Sequence, residues 1–174
     1  MPPHERGEFQ VREVSLEDAA ALLELSLALD AETQFMMLEP GERQVTLEQQ
    51  SAQLELLIQS ESRVMFVAER GSQLVGFVAG LGLTARRNRH VMSCVIGVRQ
   101  SAAGRGLGAE LMTQLETWAR ARDYTRIELT VMAHNERARR LYLGRGFEVE
   151  GTRRRALRVD GEYVDELYMA KVWG

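Results

Sequence analysis

The chain has 174 residues, of which 45% are hydrophobic and 27% are charged, and its formal net charge is −3. These values are typical of one globular domain, which we expect to occupy residues 1–174 with its core at 9–172. They exclude a membrane-spanning helix, since no apolar run approaches ~20 residues, and a disulfide-rich protein, since Cys94 is the only cysteine.

The sequence begins with a short predicted strand and a long predicted helix. The segment "FQVREV" (9–14) alternates in polarity like a strand. Ser15 precedes the apolar run "LEDAAALLELSLALD", and Asp18 follows it by three residues. This spacing resembles a capped helix start. The polar segment "EPGER" (39–43) then interrupts the chain.

A second helix and a β-hairpin follow this break. Residues 46–60 have helical periodicity. The runs "RVMFVAE" (63–69) and "QLVGFVAGLG" (73–82) predict two strands, with a turn at 70–72. The side chains that we expect on one side of the second helix are Leu47, Leu54, Leu57 and Ile58.

The second half alternates strands and helices. The apolar run "HVMSCVIGV" (90–98) predicts a strand that is buried on both faces. Residues 106–122 predict an amphipathic helix, 126–131 a short strand and 135–145 a short helix. The side chains at helical spacing in the longer helix are Leu107, Leu111, Leu115 and Trp118.

Two strands close the sequence around Asp160 and Gly161, a dipeptide that favours a hairpin turn. The predicted order is therefore βααβββαβαββ. It indicates an α/β fold with a mixed sheet, antiparallel in its N-terminal half.

Glycines alternate with other residues in "AGRGLG" (103–108), between the strand at 90–98 and the helix that follows. A glycine-rich turn into a helix presents free N–H groups and the positive end of the helix dipole, which is suited to a phosphate. The alternative is a tight connection that needs positive φ, for which one glycine suffices. The Walker pattern is excluded because no lysine follows, and the G-x-G-x-G spacing departs from the dinucleotide pattern.

Two longer blocks carry a family resemblance. "IGVRQSAAGRGLGAELM" (96–112) and "ELTVMAHNERARRLYLGRGFEVEG" (128–151) resemble the GCN5-related N-acetyltransferase family. The family's glycine signature begins with Gln or Arg and places its glycines at Gly106 and Gly108. The second block matches N-x-x-A-x-x-L-Y followed by G-F at Asn135, Ala138, Leu141, Tyr142, Gly146 and Phe147.

The resemblance implies direct acetyl transfer from acetyl-coenzyme A to an amine. It implies that Ala103, Gly104, Arg105, Gly106, Leu107 and Gly108 cradle the pyrophosphate through backbone amides. Ala103 departs from the family's polar first residue, for which Arg105 or an arginine of the helix at 135–145 compensates. The resemblance further implies a central sheet whose strands splay near Gly97. It places the pantetheine arm along the backbone of Ile96, Gly97 and Val98, with an amide near Val98 as the oxyanion donor.

Tyr142 stands where the family places its general acid, and a phenol with a pKa of about 10 can donate a proton to the leaving thiolate. The alternative is a core tyrosine. Asn135 bonds the pantetheine or the adjoining helix start, the alternative being a simple N-cap. Cys94 is expected to be a buried thiol rather than a nucleophile. The general base is not identified; the candidates are Glu69, His90, Glu128 and His134.

The acceptor is the least constrained part of the prediction. "FMMLEPGER" (35–43) lies where the family lines its acceptor pocket, so Phe35, Met36 and Met37 form either an adaptable apolar wall or part of the core. The C-terminal sequence is similar to a bacterial subgroup that acts on amino acids, amino-acid-like herbicides or ribosomal protein N-termini. We expect a small amine, such as the α-amine of an apolar amino acid. A protein N-terminus and a non-catalytic coenzyme-binding module are the alternatives.

The expected partners follow from charge and composition. Residues 1–85 carry 5 basic and 14 acidic side chains, whereas residues 86–174 carry 17 and 11, which indicates either solvated faces or a polyanionic ligand in the second half. Basic residues are not interleaved with aromatic ones, so we expect no nucleic acid. The scattered histidines predict no metal. The apolar end of "YVDELYMAKVW" predicts a homodimer, and the absence of a signal sequence predicts a cytoplasmic protein.

Overall fold

The computed structural model describes residues 8–174, so residues 1–7 of the expected domain lie outside the described residues. Its element order is βααβββαβαββ, as predicted, and the α/β fold class is confirmed. The strands are β1 Gln10–Glu13, β2 Arg63–Arg70, β3 Gln73–Gly82, β4 Val91–Val98, β5 Arg126–Met132, β6 Glu148–Val159 and β7 Glu162–Val172. The helices are α1 Ala19–Glu32, α2 Leu47–Gln59, α3 Leu107–Arg120 and α4 Glu136–Gly144.

The chain forms two compact units, and the first comprises the described residues up to Gly80 together with Val95–Leu115. Its strands follow the order β1-β2-β3-β4, and β1 pairs antiparallel with β2. Apolar side chains of α1 and α2 form the core of this unit against the sheet. The buried members of that core are Val14, Ala19, Leu22, Leu25, Leu29, Leu54, Val67 and Leu74.

The second unit comprises Leu81–Cys94 and Glu116–Gly174. Its strands follow the order β4-β5-β7-β6. The parallel ladder between β4 and β5 pairs only Val91–Ser93 with Arg126–Glu128, which agrees with the splayed central strands of the expected fold. Strand β7 pairs antiparallel with both β5 and β6, and the predicted hairpin turn at Asp160 and Gly161 is confirmed.

Both predicted helix starts in the first unit have capping interactions. Thr46 Oγ1 accepts the Gln49 N–H at 3.2 Å, so α2 begins with a capping box. At Ser15 the α-helix begins later than predicted, because residues 16–18 form a 3-10 turn. Asp18 closes this turn by accepting the Ser15 N–H at 2.8 Å while it also binds Arg12.

The predicted apolar faces are confirmed for α3 and partly wrong elsewhere. Leu107, Leu111 and Leu115 are buried. On α2, however, Leu47 and Ile58 are exposed, since Leu54 fills the core contact of that helix. In β4 the prediction of burial on both faces is wrong at Val95, which is 47% exposed.

Lys171 on β7 is the only lysine of the chain, and its position is defined by two neighbours. Its Nζ donates to Glu116 Oε2 at 2.8 Å. Its Cε lies 3.4 Å from where a Cβ on Gly146 would stand, so the lysine stem packs along that glycine. Within residues 8–174, no helix has both the length and the apolar character needed to cross a membrane.

Candidate active site

The segment between β4 and α3 forms a turn with an unusual backbone. Residues 100–102 form a 3-10 turn, and the Ala103 N–H donates to Gln100 O at 3.1 Å. Gly104 and Gly106 then adopt φ values of +74° and +77°. Glycine reaches this region without steric cost, unlike other residues. Two of the three glycines are therefore required by the turn itself, whereas Gly108 lies in α3.

The first turn of α3 offers unpaired N–H groups. The first helical bond runs from the Glu110 N–H to Gly106 O at 3.1 Å, so the preceding N–H groups have no helical partner. A Cβ on Gly106 would have no neighbour within 4 Å, which leaves open space above this backbone. Free amides, open space and the helix dipole together suit an anion. We call residues 99–108 the phosphate segment.

Arg105 in this segment is bound by other side chains of the first unit. Arg105 forms an ion pair with Glu8, and its guanidinium lies 5.5 Å from the ring centre of Phe9. Arg70 also approaches Glu8, at 3.8 Å. Arg105 is thus bound by protein groups in this structure, and Ala103 is half-buried.

Gly97 of β4 is explained by close packing. A Cβ at this position would lie 2.8 Å from Leu29 Cδ1 and 2.9 Å from Phe77 Cε1, closer than real Cβ contacts. Any larger residue would therefore require the side chains of Leu29 and Phe77 to move. Its neighbours Ile96 and Val98 are half-buried.

The three apolar residues predicted to line the acceptor pocket divide into two groups. Phe35 is 39% and Met37 67% exposed, whereas Met36 packs against the core of the first unit. Met36 thus follows the core alternative, while Phe35 and Met37 remain accessible. We call residues 33–46 the acceptor segment.

Sequence reasoning missed Asp30 and Glu32 near the C-terminal end of α1. Asp30 is 1% exposed and accepts two hydrogen bonds from Arg43, with Nε at 2.6 Å and Nη2 at 3.1 Å. Glu32 accepts from Arg99 and from the Gln100 N–H. The only sequence signal was an acid within the apolar run "LALDAE", and the spacing did not reveal its distant arginine.

Tyr142 lies in the second unit, in the last part of α4, and is 6% exposed. Its ring centre lies 5.8 Å from that of Phe147. Burial, with a smaller contribution from Cys94, raises the pKa of the phenol above its ordinary value. The phenol therefore stays protonated at neutral pH and is suited to donate a proton or a hydrogen bond.

Asn135 is the N-cap of α4. Its Oδ1 accepts the Ala138 N–H at 3.2 Å. The structure thus shows a simple N-cap, which was the alternative to a bond with the pantetheine. Asn135 satisfies one of the orphan donors there, as Asn commonly does.

The surroundings of Cys94 and of the four candidate bases limit the chemical role that each can have. Cys94 is buried, and burial raises the pKa of its thiol to about 12, so it carries little thiolate at neutral pH. Glu69 is bound by Arg12 at 3.1 Å and Glu128 by Arg126 at 2.9 Å, so neither acid is free. His90 and His134 are exposed. Across residues 8–174, no three His, Cys, Asp or Glu side chains are grouped to hold a metal ion.

Comparison with known proteins agrees with the resemblance. Residues 29–147 match the model of the acetyltransferase (GNAT) family. The L-amino acid N-acetyltransferase AaaT of Escherichia coli (strain K12) is 39% identical over 90 residues, which are 49% of this chain and 54% of that protein. The chain thus matches about half the length of this curated relative.

Two solved structures extend the likeness over almost the whole chain. An acetyltransferase of the GNAT family from Streptococcus pneumoniae superimposes with a TM-score of 0.90 and 27% identity, covering 95% of this chain and 100% of that one. A ribosomal-protein-alanine N-acetyltransferase from Brucella melitensis gives 0.83 and 27%, covering 94% and 99%. Since the family model alone covers well over half of the residues, the chain belongs to the acetyltransferase (GNAT) family.

Proposed function

We propose that the protein transfers an acetyl group from acetyl-coenzyme A to the primary amine of a small molecule, and that an apolar L-amino acid is the first candidate acceptor. The observation that carries the coenzyme assignment is the phosphate segment. There, Gly104 and Gly106 hold left-handed backbone in front of the free amides of α3. Bulkier residues would strain this backbone and hold phosphate oxygens away from the N–H groups.

In this proposal, backbone groups bind most of the coenzyme. The amides of residues 103–108 hold the pyrophosphate, and the backbone of Ile96, Gly97 and Val98 holds the pantetheine arm in the manner of an added strand. An amide near Val98 donates to the carbonyl oxygen as negative charge develops on it. The bound coenzyme supplies the acetyl thioester.

Tyr142 is the proposed general acid. The amine nitrogen attacks the thioester carbonyl, a C–N bond forms and the C–S bond breaks. The phenol of Tyr142 then gives its proton to the leaving thiolate. The attacking nitrogen loses a proton to solvent, and the Tyr142 phenolate takes a proton back from solvent. The phenol is protonated at neutral pH, as this role requires. Asn135 supports it indirectly, by fixing the start of the helix that carries Tyr142.

Two findings favour a small amine with an apolar side chain. The E. coli relative is named an L-amino acid N-acetyltransferase. In addition, Phe35 and Met37 offer exposed apolar surface in the acceptor segment. The named activity of the B. melitensis neighbour supports a protein N-terminus as the second candidate. A coenzyme-binding module without turnover is the third, and it rests on Ala103.

An acceptor panel tests the proposal. Release of the coenzyme thiol is measured from acetyl-coenzyme A with L-methionine, L-phenylalanine, L-aspartate and a short alanine-initiated peptide. Highest kcat/KM for an apolar amino acid supports the proposal, and highest kcat/KM for the peptide replaces it with the second candidate. Coenzyme binding in calorimetry without turnover of any amine supports the third.

We further propose a homodimer that uses β7. This strand carries two large exposed side chains on one face, Tyr168 at 47% and Val172 at 65%. Apolar surface of this kind commonly marks an interface. Light scattering at micromolar concentration measures the mass, and a value near 19.7 kDa contradicts the dimer.

A further inference from the structure

The last turn of α1, residues 29–32, contacts three separate parts of the first unit that the proposed function uses. We call it the α1 C-turn. Its first contact is Leu29, whose Cδ1 lies against Gly97 of the strand proposed to bind pantetheine. This contact leaves no room for a Cβ on Gly97 unless the Leu29 side chain moves, so α1 packs directly on β4 at this point.

Glu32 binds the start of the phosphate segment through both its side chain and its backbone. Its Oε2 accepts from Arg99 Nε at 3.3 Å and Nη2 at 3.1 Å, and its Oε1 accepts the Gln100 N–H at 2.9 Å. Gln100 Nε2 in turn donates to Glu32 O at 3.2 Å. Charge-assisted bonds of this type are stronger than neutral ones. Glu32 therefore fixes the 3-10 turn from which Ala103 and the glycines follow.

Asp30 binds the acceptor segment near its far end. The two hydrogen bonds from Arg43 reach a carboxylate that is almost completely buried, while the arginine side chain is 21% exposed. Removal of one partner from such a pair leaves an uncompensated buried charge, so breaking the pair is costly. Thr33 begins the same segment directly after the α1 C-turn. The segment is thus attached to α1 at both ends.

We infer that the α1 C-turn couples the two segments, so that coenzyme bound at the phosphate segment orders the acceptor segment and an amine there tightens the coenzyme in return. The inference rests on the proposed function. Glu32 and Asp30 are positioning residues in it, since neither is placed against a reacting atom. Coupling between two ligands is reciprocal in free energy, so a coenzyme that orders the acceptor segment for the amine is itself bound more tightly when the amine is present.

The two acids have different expected roles, because Glu32 contacts the phosphate segment and Asp30 contacts the acceptor segment alone. Loss of the Glu32 charge weakens coenzyme binding and interrupts the coupling. Disturbance of the Asp30–Arg43 pair interrupts the coupling and changes coenzyme affinity only slightly, because no contact with the phosphate segment is lost. If the α1 C-turn had a purely structural role, both variants would change coenzyme affinity and hydrogen exchange of the acceptor segment together.

The experiment measures hydrogen exchange of residues 33–46 with and without coenzyme A, and coenzyme A affinity by calorimetry. The variants are Glu32→Gln and Arg43→Lys; lysine keeps a cation beside Asp30 and loses the two-bond geometry. Glu24→Gln is the matched control, because Glu24 is an exposed acid on the same helix. Thermal unfolding verifies that each variant is folded.

In the wild type and in Glu24→Gln, coenzyme A is expected to slow exchange in the acceptor segment. Glu32→Gln is expected to raise the Kd for coenzyme A by about tenfold, the equivalent of about 1.4 kcal/mol, and to remove most of this protection at saturation. Arg43→Lys is expected to remove the protection with a Kd within about twofold of the wild type.

Three results overturn the inference. One is wild-type protein that binds coenzyme A without protection of residues 33–46, a result that leaves the proposed function standing. Another is protection that survives in both variants. The third is an Arg43→Lys variant whose Kd rises as much as that of Glu32→Gln. Wild-type protein that does not bind coenzyme A refutes the proposed function and the coupling together.

Discussion

The phosphate segment and the acceptor segment are both irregular connections next to helices, but their conformations are determined by different kinds of interaction. The phosphate segment depends on its own backbone, through a 3-10 turn and the left-handed Gly104 and Gly106. The acceptor segment depends on a distant side chain, since Arg43 is bound to the buried Asp30. Backbone requirements restrict the residue type at each position, whereas a distant ion pair leaves the intervening residues free to vary.

This difference explains why the sequence indicates the coenzyme more clearly than the acceptor. Acetyl-coenzyme A presents the same pyrophosphate to every enzyme that uses it, and backbone amides suit a constant group. The acceptor pocket that we propose uses exposed side chains such as Phe35 and Met37, which can vary without strain in the backbone. Substitutions in the phosphate segment should therefore change coenzyme affinity, whereas substitutions in the acceptor segment should change the KM for the amine.

The largest effect is expected from Gly106→Val. A β-branched residue at φ +77° is strained, and relief of that strain would displace the amides in front of α3. We expect coenzyme A affinity in calorimetry to fall on the order of 100-fold. Gly41→Val in the acceptor segment is the matched control, because Gly41 has φ +82° and equally open surroundings. Equal losses in the two variants would contradict the comparison.

Tyr142→Phe tests whether Tyr142 donates a proton in the chemical step. The ring and its packing on Phe147 are kept, but the proton is lost. We expect kcat to fall about 100-fold with little change in the KM for acetyl-coenzyme A. Tyr124→Phe, at another buried tyrosine, is the control. A kcat within about threefold of the wild type, with chemistry limiting the rate, would leave Tyr142 as a packing residue.

The pH dependence of the wild type follows from the same phenol. The active form is protonated, and burial raises its pKa above the ordinary value of about 10. Ionisation of Tyr142 can therefore lower kcat only above about pH 10. A fall in kcat at lower pH that disappears in Tyr142→Phe would be inconsistent with this assignment.

Met37→Ala tests the acceptor segment alone. Truncation removes apolar surface that is 67% exposed in the free protein. With the best acceptor of the panel, we expect KM for the amine to rise about tenfold and coenzyme A affinity to stay constant. Leu56→Ala, at a similarly exposed residue of α2, is the control. Unchanged KM in Met37→Ala would remove this residue from the acceptor site.

The smallest effect is expected from Ala103→Arg. Arg105 is engaged by Glu8, so a new cation at Ala103 adds a phosphate contact rather than duplicating one. The gain in coenzyme A affinity should be about fivefold or less, as for an exposed ion pair of about 1 kcal/mol. It should diminish at high salt, and Ala103→Met should not reproduce it. An absence of gain would mean that other groups already satisfy the phosphates.

The sequence predicted the element order because strands and helices here follow local periodicity, and it indicated the glycine turn before α3 because glycine has few substitutes at positive φ. It did not predict the exposure of Leu47, Ile58 and Val95, which depends on which neighbours reach each element. It also gave no sign of the contacts made by Asp30 and Glu32. Their partners are 13 and 67 residues away, beyond any spacing rule.

A protein that handles a reactive thioester is itself exposed to acetylation of its own amines. The arginine-rich surface of this chain reduces that exposure, since a guanidinium is a poor nucleophile and Lys171 is the only lysine. The ammonium of that lysine is bound to Glu116, and its stem lies against Gly146. Acetylation there would discard a partly buried ion pair. The side chains of residues 8–174 therefore offer little competition to the intended acceptor, and an acetyl-lysine found after long incubation with acetyl-coenzyme A would report opening of the contact between Lys171 and Glu116.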